Sequence, residues 1–152
     1  MRSKRQRIGR LLASSFGVGF VPILPGTLAS ALGVLLYLFV GHSIFLYLTT
    51  VFIIFWVGVL SSRSALQTTE EKDPSWIVID EVLGMMITLF QIPPRVPFLV
   101  LGFVLFRFFD SIKIPPIDRL EHLKGEWGIL LDDVGAGIYA TLLLQLILRF
   151  AS

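Results

Sequence analysis

Five apolar segments, residues 27–40, 44–60, 74–90, 96–109 and 134–148, fill most of a chain of 152 residues and leave only short polar connections between them. Such a pattern does not suit an ordinary soluble domain. Hydrophobic residues make up 55% and charged residues 16%, against roughly 25% charged in soluble domains, and the mean hydropathy is +0.80. The chain reads as an all-α, polytopic membrane helix bundle of about five short transmembrane segments. At about 20 residues per span, at most some five or six spans fit. Residues 1–152 are therefore expected to form a single membrane-embedded domain with no room for a soluble catalytic one.

Several segments have only about 14–17 residues, near or below the lower limit for a full span. Their helices must extend into flanking polar residues, or one segment must re-enter the face it left. For the third segment, Asp73 supplies an N-cap and Pro74 suits the first helical position. The stretch Phe16-Gly-Val-Gly-Phe-Val-Pro-Ile-Leu-Pro-Gly26 is apolar but broken. Non-helical backbone is tolerated at membrane depth only where it is buried in protein or lines a cavity, so this is a candidate re-entrant loop before the first span.

Residues 1–10 carry Arg2, Lys4, Arg5, Arg7 and Arg10 and read as a basic cytoplasmic tail. A cleaved signal peptide fits poorly, because Gly17, Gly19, Pro22 and Pro25 interrupt the apolar stretch and no clean small-residue cleavage site follows. With five spans and the amino terminus inside, the inner segments 1–26, 61–76 and 107–133 hold every basic residue except Arg95 and Arg149, which satisfies the positive-inside rule. Every carboxylate also falls on the cytoplasmic half. Topology alone does not require that, since acids contribute little to it. The absence of cysteine removes thiol nucleophiles, disulfides and thiolate metal sites.

Asp80-Glu81 lies inside the apolar run 76–90. Each ionised carboxylate in hydrocarbon costs about 2.5–3.5 kcal/mol, so something cationic must meet the pair. Asp73, Ile77, Asp80, Glu81 and Gly84 fall near one helical stripe. Asp132-Asp133 is followed by the small residues Ala136, Gly137 and Ala140, so two acid-bearing helices can pack backbone to backbone. Arg107, Asp110 and Lys113 recur at intervals of three at the end of the fourth segment. Five carboxylates, Asp80, Glu81, Asp110, Asp132 and Asp133, with no cysteine and no well-placed histidine, call for a hard, oxygen-seeking cation. Magnesium fits best, ahead of manganese or calcium. The bland alternative is that Arg107, Lys113 and neighbouring bases neutralise the acids as structural ion pairs, but two bases cannot balance five acids.

In Pro25-Gly-Thr-Leu-Ala-Ser30, Thr27 is a candidate N-cap, and the Thr27 and Ser30 hydroxyls lie one turn apart beside free helix N–H groups. Alone this is an ordinary capped helix. Beside an acidic cluster, Arg107 and Lys113 it becomes half of a phosphate cradle, which points to phosphate-ester chemistry at the inner membrane surface. His42 and His122 lie away from the cluster or in a polar stretch. Trp56, Trp76, Trp127, Tyr37 and Tyr47 read as interfacial anchors or packing residues, and Met85-Met86 reads as core.

Together the motifs resemble the phosphatidylglycerophosphatase A family of bacterial inner-membrane lipid phosphatases. The matching stretches are Phe16-Gly-Val-Gly-Phe…Pro25-Gly-Thr-Leu-Ala-Ser30, Asp73-Pro-Ser-Trp-Ile-Val-Ile-Asp-Glu-Val-Leu-Gly84, Phe106-Arg-Phe-Phe-Asp-Ser-Ile-Lys113 and Gly128…Asp132-Asp-Val-Gly-Ala-Gly-Ile-Tyr-Ala140. They run in the family's order across nearly the whole chain. One departure is Ile114, where the family usually has proline directly after the lysine. The resemblance implies Mg2+-dependent hydrolysis of phosphatidylglycerophosphate to phosphatidylglycerol and phosphate. It places the reaction on the cytoplasmic leaflet, in a multi-pass inner-membrane protein whose partner is its phospholipid substrate. Carried over residue by residue, it points to Asp80, Glu81, Asp110, Asp132 and Asp133 as catalytic, with Asp80, Glu81, Asp132 and Asp133 as metal ligands, and to Thr27, Ser30, Arg107 and Lys113 as substrate-binding.

Water is favoured over a carboxylate such as Asp110 as the nucleophile, because the sequence has no Asp-x-Asp signature, no cysteine and no histidine near the cluster. The competing reading is a small cation transporter or channel with an acidic cytoplasmic ion site. That reading expects carboxylates spread across membrane depth, and the first two apolar segments have none.

Overall fold

The computed structural model describes residues 3–151, which form helices joined by turns. In chain order these are α1 Lys4–Ala13, a 3-10 turn at Val18–Phe20, α2 Pro25–Val40, α3 Ile44–Leu66, α4 Ile79–Thr88, α5 Val96–Ile112, α6 Ile117–Glu121 and α7 Glu126–Ala151. The apolar segments do extend into polar flanks. α3 runs on to Leu66, α5 to Ile112, and α7 starts at Glu126 rather than at residue 134. Two helices are long and apolar enough to cross a bilayer, Ile44–Leu66 and Glu126–Phe150.

The third segment departs from expectation. Its helix begins at Ile79, not Pro74, and its N-cap is Val78, not Asp73. Residues 74–78 make other bonds: the Ile77 N–H donates to the Pro74 carbonyl, and the Val78 N–H donates to Ala13 O at the end of α1, 2.9 Å away. A tertiary hydrogen bond has taken the donor that a longer helix would have used. At 1.5 Å per residue, α4 is about 15 Å long and cannot cross a hydrocarbon core of about 30 Å.

α4 is instead the enclosed centre of the molecule, with all of its residues but Glu81 and Ile87 buried. A helix that ends inside an apolar bundle leaves carbonyls with no water to satisfy them, at several kcal/mol each. Here side chains from the surrounding helices reach in. The Tyr47 hydroxyl donates to Met86 O, the Thr141 hydroxyl to Ile87 O at 2.8 Å and to Thr88 O, the Gln145 amide to Phe90 O at 3.1 Å, and the Tyr37 hydroxyl to Ile92 O. Tyr37 and Tyr47 are therefore buried donors of the core and not interfacial anchors. Met85 and Met86 are core, as expected.

α4 meets α7 backbone to backbone. A Cβ added at Gly137 would lie 2.5 Å from Gly84 O, and one added at Gly84 would lie 2.8 Å from Asp133 O. This is the small-residue contact that the sequence anticipates.

Among the described residues the amino-terminal segment is helical from Lys4. Ser3 and Gln6 form a capping box for α1, and Gly9 sits against Ser64 of α3. Arg2 lies outside the described residues. The broken stretch that follows turns through the 3-10 segment, with Phe16, Ile23 and Leu24 exposed.

Rows of exposed apolar side chains run along the outer helices at intervals of four: Val96, Val100, Val104, Phe108 and Ile112 on α5, and Ile138, Leu142, Leu146 and Phe150 on α7. A soluble monomer rarely exposes contiguous apolar surface on this scale. The outside of this bundle suits hydrocarbon, and its polar chemistry is gathered at one end.

Candidate active site

Asp80 and Glu81 stand in the first turn of α4, and Asp132-Asp133 in the second turn of α7. The Gly84–Gly137 contact one turn further on removes the side-chain bulk that would hold the two helices apart. Oxygens of Asp80, Glu81 and Asp133 consequently lie within 4.8 Å of one another. Asp80 and Asp133 are buried, and Glu81 is half-buried. Asp80 Oδ1, Glu81 Oε2 and Asp133 Oδ2 are each buried with no hydrogen-bond partner.

Two unit charges at such a distance repel by about 3 kcal/mol or more even at an effective dielectric of 20. Protons or cationic charge among them must offset that repulsion, and the two nearby bases form their ion pairs with other acids. Arg107 Nη1 lies 3.0 Å from Asp110 Oδ2, and Lys113 Nζ donates to Asp132 Oδ2 at 2.9 Å. The ion-pair alternative thus describes Asp110 and Asp132, while Asp80, Glu81 and Asp133 make none of the ion pairs found among the described residues.

The four expected metal ligands divide accordingly. Asp80, Glu81 and Asp133 converge. Asp132 uses one oxygen on Lys113 and the other on the Asp133 N–H at 2.9 Å. A donor set of three carboxylates with orphaned, mutually facing oxygens fits a hard divalent cation.

The start of α2 closes another side of the cluster, though not with the expected cap. α2 begins at Pro25, its N-cap is Leu24 in a left-handed conformation (φ 50°), and Thr27 is the third residue of the helix, half-buried. The Ser30 hydroxyl donates to Gly26 O at 2.9 Å and is fully buried, so its proton is committed within its own helix. The residue that meets the cluster most closely is Gly26: an added Cβ would lie 2.3 Å from Glu81 Oε1 and 3.4 Å from Arg107 Nη1. The Pro-Gly dipeptide was the available signal for so close an approach. Lys113 ends α5 in a left-handed conformation (φ 48°), which sends its side chain to α7 instead of along α5. Beside Asp132 a cavity of about 810 Å³ is also lined by Lys72, Asp73, His122 and Lys124. His122 therefore faces this vestibule rather than bulk water alone.

Comparison with known proteins agrees with this arrangement. The family model of phosphatidylglycerophosphatase A matches residues 11–148. The chain is 35% identical to phosphatidylglycerophosphatase A of Escherichia coli strain K12, over 96% of this chain and 87% of that protein. It is 38% identical to that of Haemophilus influenzae, over 87% and 83%. It is also 32% identical, over 88% of this chain and 89% of the other, to a Bacteroides thetaiotaomicron protein with the provisional name phosphatidylinositol-3-phosphatase. No solved structure matches. The match takes in Asp80, Glu81, Arg107, Asp110, Lys113, Asp132 and Asp133, and the chain belongs to the phosphatidylglycerophosphatase A family of phosphatases.

Proposed function

We propose that the chain hydrolyses phosphatidylglycerophosphate to phosphatidylglycerol and inorganic phosphate, in a magnesium-dependent reaction at the cytoplasmic face of a bacterial inner membrane. The observation that carries this reading is the trio of carboxylates with buried, orphaned oxygens, set beside two bases paired with the remaining acids. Asp80, Glu81 and Asp133 would hold the divalent cation. When bound, Mg2+ would neutralise them and act as a Lewis acid on a phosphoryl oxygen.

The other roles belong to side chains and backbone. Asp110 aligns the Arg107 guanidinium, which takes phosphoryl oxygens through directed N–H bonds. Asp132 orients the Lys113 ammonium towards the same charge. The first turn of α2, with Gly26 opening space at the cluster and Thr27 beside it, supplies N–H groups that favour an anion. Water attacks phosphorus, the bond from phosphorus to the glycerol oxygen breaks, and that oxygen gains a proton as phosphatidylglycerol leaves. The concentration of basic residues in segments 1–26, 61–76 and 107–133 supports a topology with the amino terminus and the site facing the cytoplasm.

The relatives' names divide over the head group, glycerophosphate against inositol phosphate, but both substrates are phosphomonoesters carried by a lipid. Phosphate release by the purified full chain from phosphatidylglycerophosphate and from phosphatidylinositol 3-phosphate decides between them. Release from the first is expected to be faster, to stop in EDTA and to return with Mg2+. Asp80→Asn is expected to slow it by about a hundredfold or more while leaving membrane insertion intact. Indifference to EDTA would remove the metal from the reaction, and a preference for the inositol lipid would overturn the substrate assignment.

A further inference from the structure

Arg10 is held in a manner the carboxylate cluster does not require. Its guanidinium carbon lies 4.8 Å from the ring centroid of Phe20 and 4.8 Å from that of Trp76, and those two rings stack on each other at 5.5 Å. Its Nε is buried without a hydrogen-bond partner. Arg7 lies one turn earlier on the same face of α1, and neither arginine makes any of the ion pairs found among the described residues. Arg7, Arg10, Leu11 and Phe20 together line a cavity of about 340 Å³.

Two guanidinium groups beside a leucine and a phenylalanine match a molecule that is anionic at one end and apolar at the other. A guanidinium takes phosphate oxygens through paired N–H bonds. Leu11 and Phe20, 48% and 46% exposed, offer apolar contact where a lipid chain leaves its head group. α1 has the form of a helix lying in a membrane interface: basic, short, and with Ile8 and Leu11 exposed among its charges. Contact with the stacked Phe20 and Trp76 rings fixes the Arg10 guanidinium at the edge of this open depression, so that one wall of it is held in place.

We propose that this cavity binds the head-group phosphate of an anionic phospholipid, at a site separate from Asp80, Glu81 and Asp133. The site needs neither the metal nor turnover, so it stands or falls apart from the reaction proposed above.

The test is titration calorimetry of the purified full chain, in neutral detergent with EDTA, against dioctanoyl phosphatidylglycerol and dioctanoyl phosphatidylcholine. Phosphatidylglycerol is expected to bind at least tenfold more tightly. Arg7→Gln and Arg10→Gln are each expected to weaken it about fivefold, the effect of one basic residue at an anionic surface, with phosphatidylcholine unaffected. Because Arg10→Gln also loosens the Phe20–Trp76 stack, Arg7→Gln is the deciding variant. Asp80→Asn is expected to keep the full preference. Equal affinity for the two lipids, an unchanged phosphatidylglycerol affinity in Arg7→Gln, or loss of the preference in Asp80→Asn would each overturn the proposal. So would inorganic phosphate binding as tightly as the lipid.

Discussion

At the scale of single residues, two glycines separate what the fold needs from what the site needs. A methyl group added at Gly26 would press on Glu81 Oε1, the far end of a flexible side chain, at 2.3 Å. One added at Gly19 would press on Trp76 O, a backbone atom, at 1.9 Å. Gly26→Ala is therefore expected to leave thermal unfolding in detergent nearly unchanged. Glu81 swings away instead, and phosphate release falls by about a hundredfold, the scale of a 1 Å misplacement in an active site. Gly19→Ala is expected to cost about 1–3 kcal/mol of stability, because backbone must move. An active Gly26→Ala enzyme would show that Glu81 need not stay where it is. The same scale shows why the site was only partly legible in the sequence. Asp132 and Asp133 are neighbours in the chain but point about 100° apart on a helix of 3.6 residues per turn. One turns to Asp80 and Glu81 and the other to Lys113, and a sequence pattern without a helix partner cannot say which.

At the scale of elements, α4 was the segment read least well. Apolar length located α2, α3, α5 and α7, because a long apolar helix is stabilised along its whole length by what it buries. α4 is set by its two ends. Its start is fixed by the bond from Val78 to Ala13 O, and its finish by donors from three other helices. None of these partners is near in sequence. Loss of one donor should strand a carbonyl in an apolar interior, at about 1–3 kcal/mol. Gln145→Leu, which removes the bond to Phe90 O, is expected to lower the unfolding free energy in mixed micelles by that amount without changing the affinity for divalent cation. An unfolding curve matching that of the unmodified chain would mean that the carbonyl finds another donor.

At the scale of the whole molecule, the arrangement inverts that of a soluble protein: the buried charge clusters at one end of the interior, by the start of α4, side-chain hydrogen bonds close the other end of that helix, and the apolar rows face out. Val104, 55% exposed in the middle of the α5 row, tests this surface. Val104→Lys is expected to cost about 2.5–3.5 kcal/mol of insertion, as for a charge placed at the centre of a spanning helix, seen as loss from the membrane fraction, whereas Val104→Leu should be neutral. Full recovery of Val104→Lys in the membrane would place this face away from lipid.

The sequence by itself determined the helical class, the apolar exterior and which acids and bases are candidates for the site, because hydropathy and the spacing of carboxylates along a helix are local properties of the chain. It also determined that α4 and α7 could touch, through Gly84 and Gly137. Only the tertiary structure decided that α4 is a short enclosed helix, that Asp80, Glu81 and Asp133 converge outside the ion pairs found among the described residues, and that Gly26 rather than a Thr27 cap closes on them. Each of these depends on which atom from a distant part of the chain arrives within hydrogen-bonding or contact distance, and the packing of whole helices sets that.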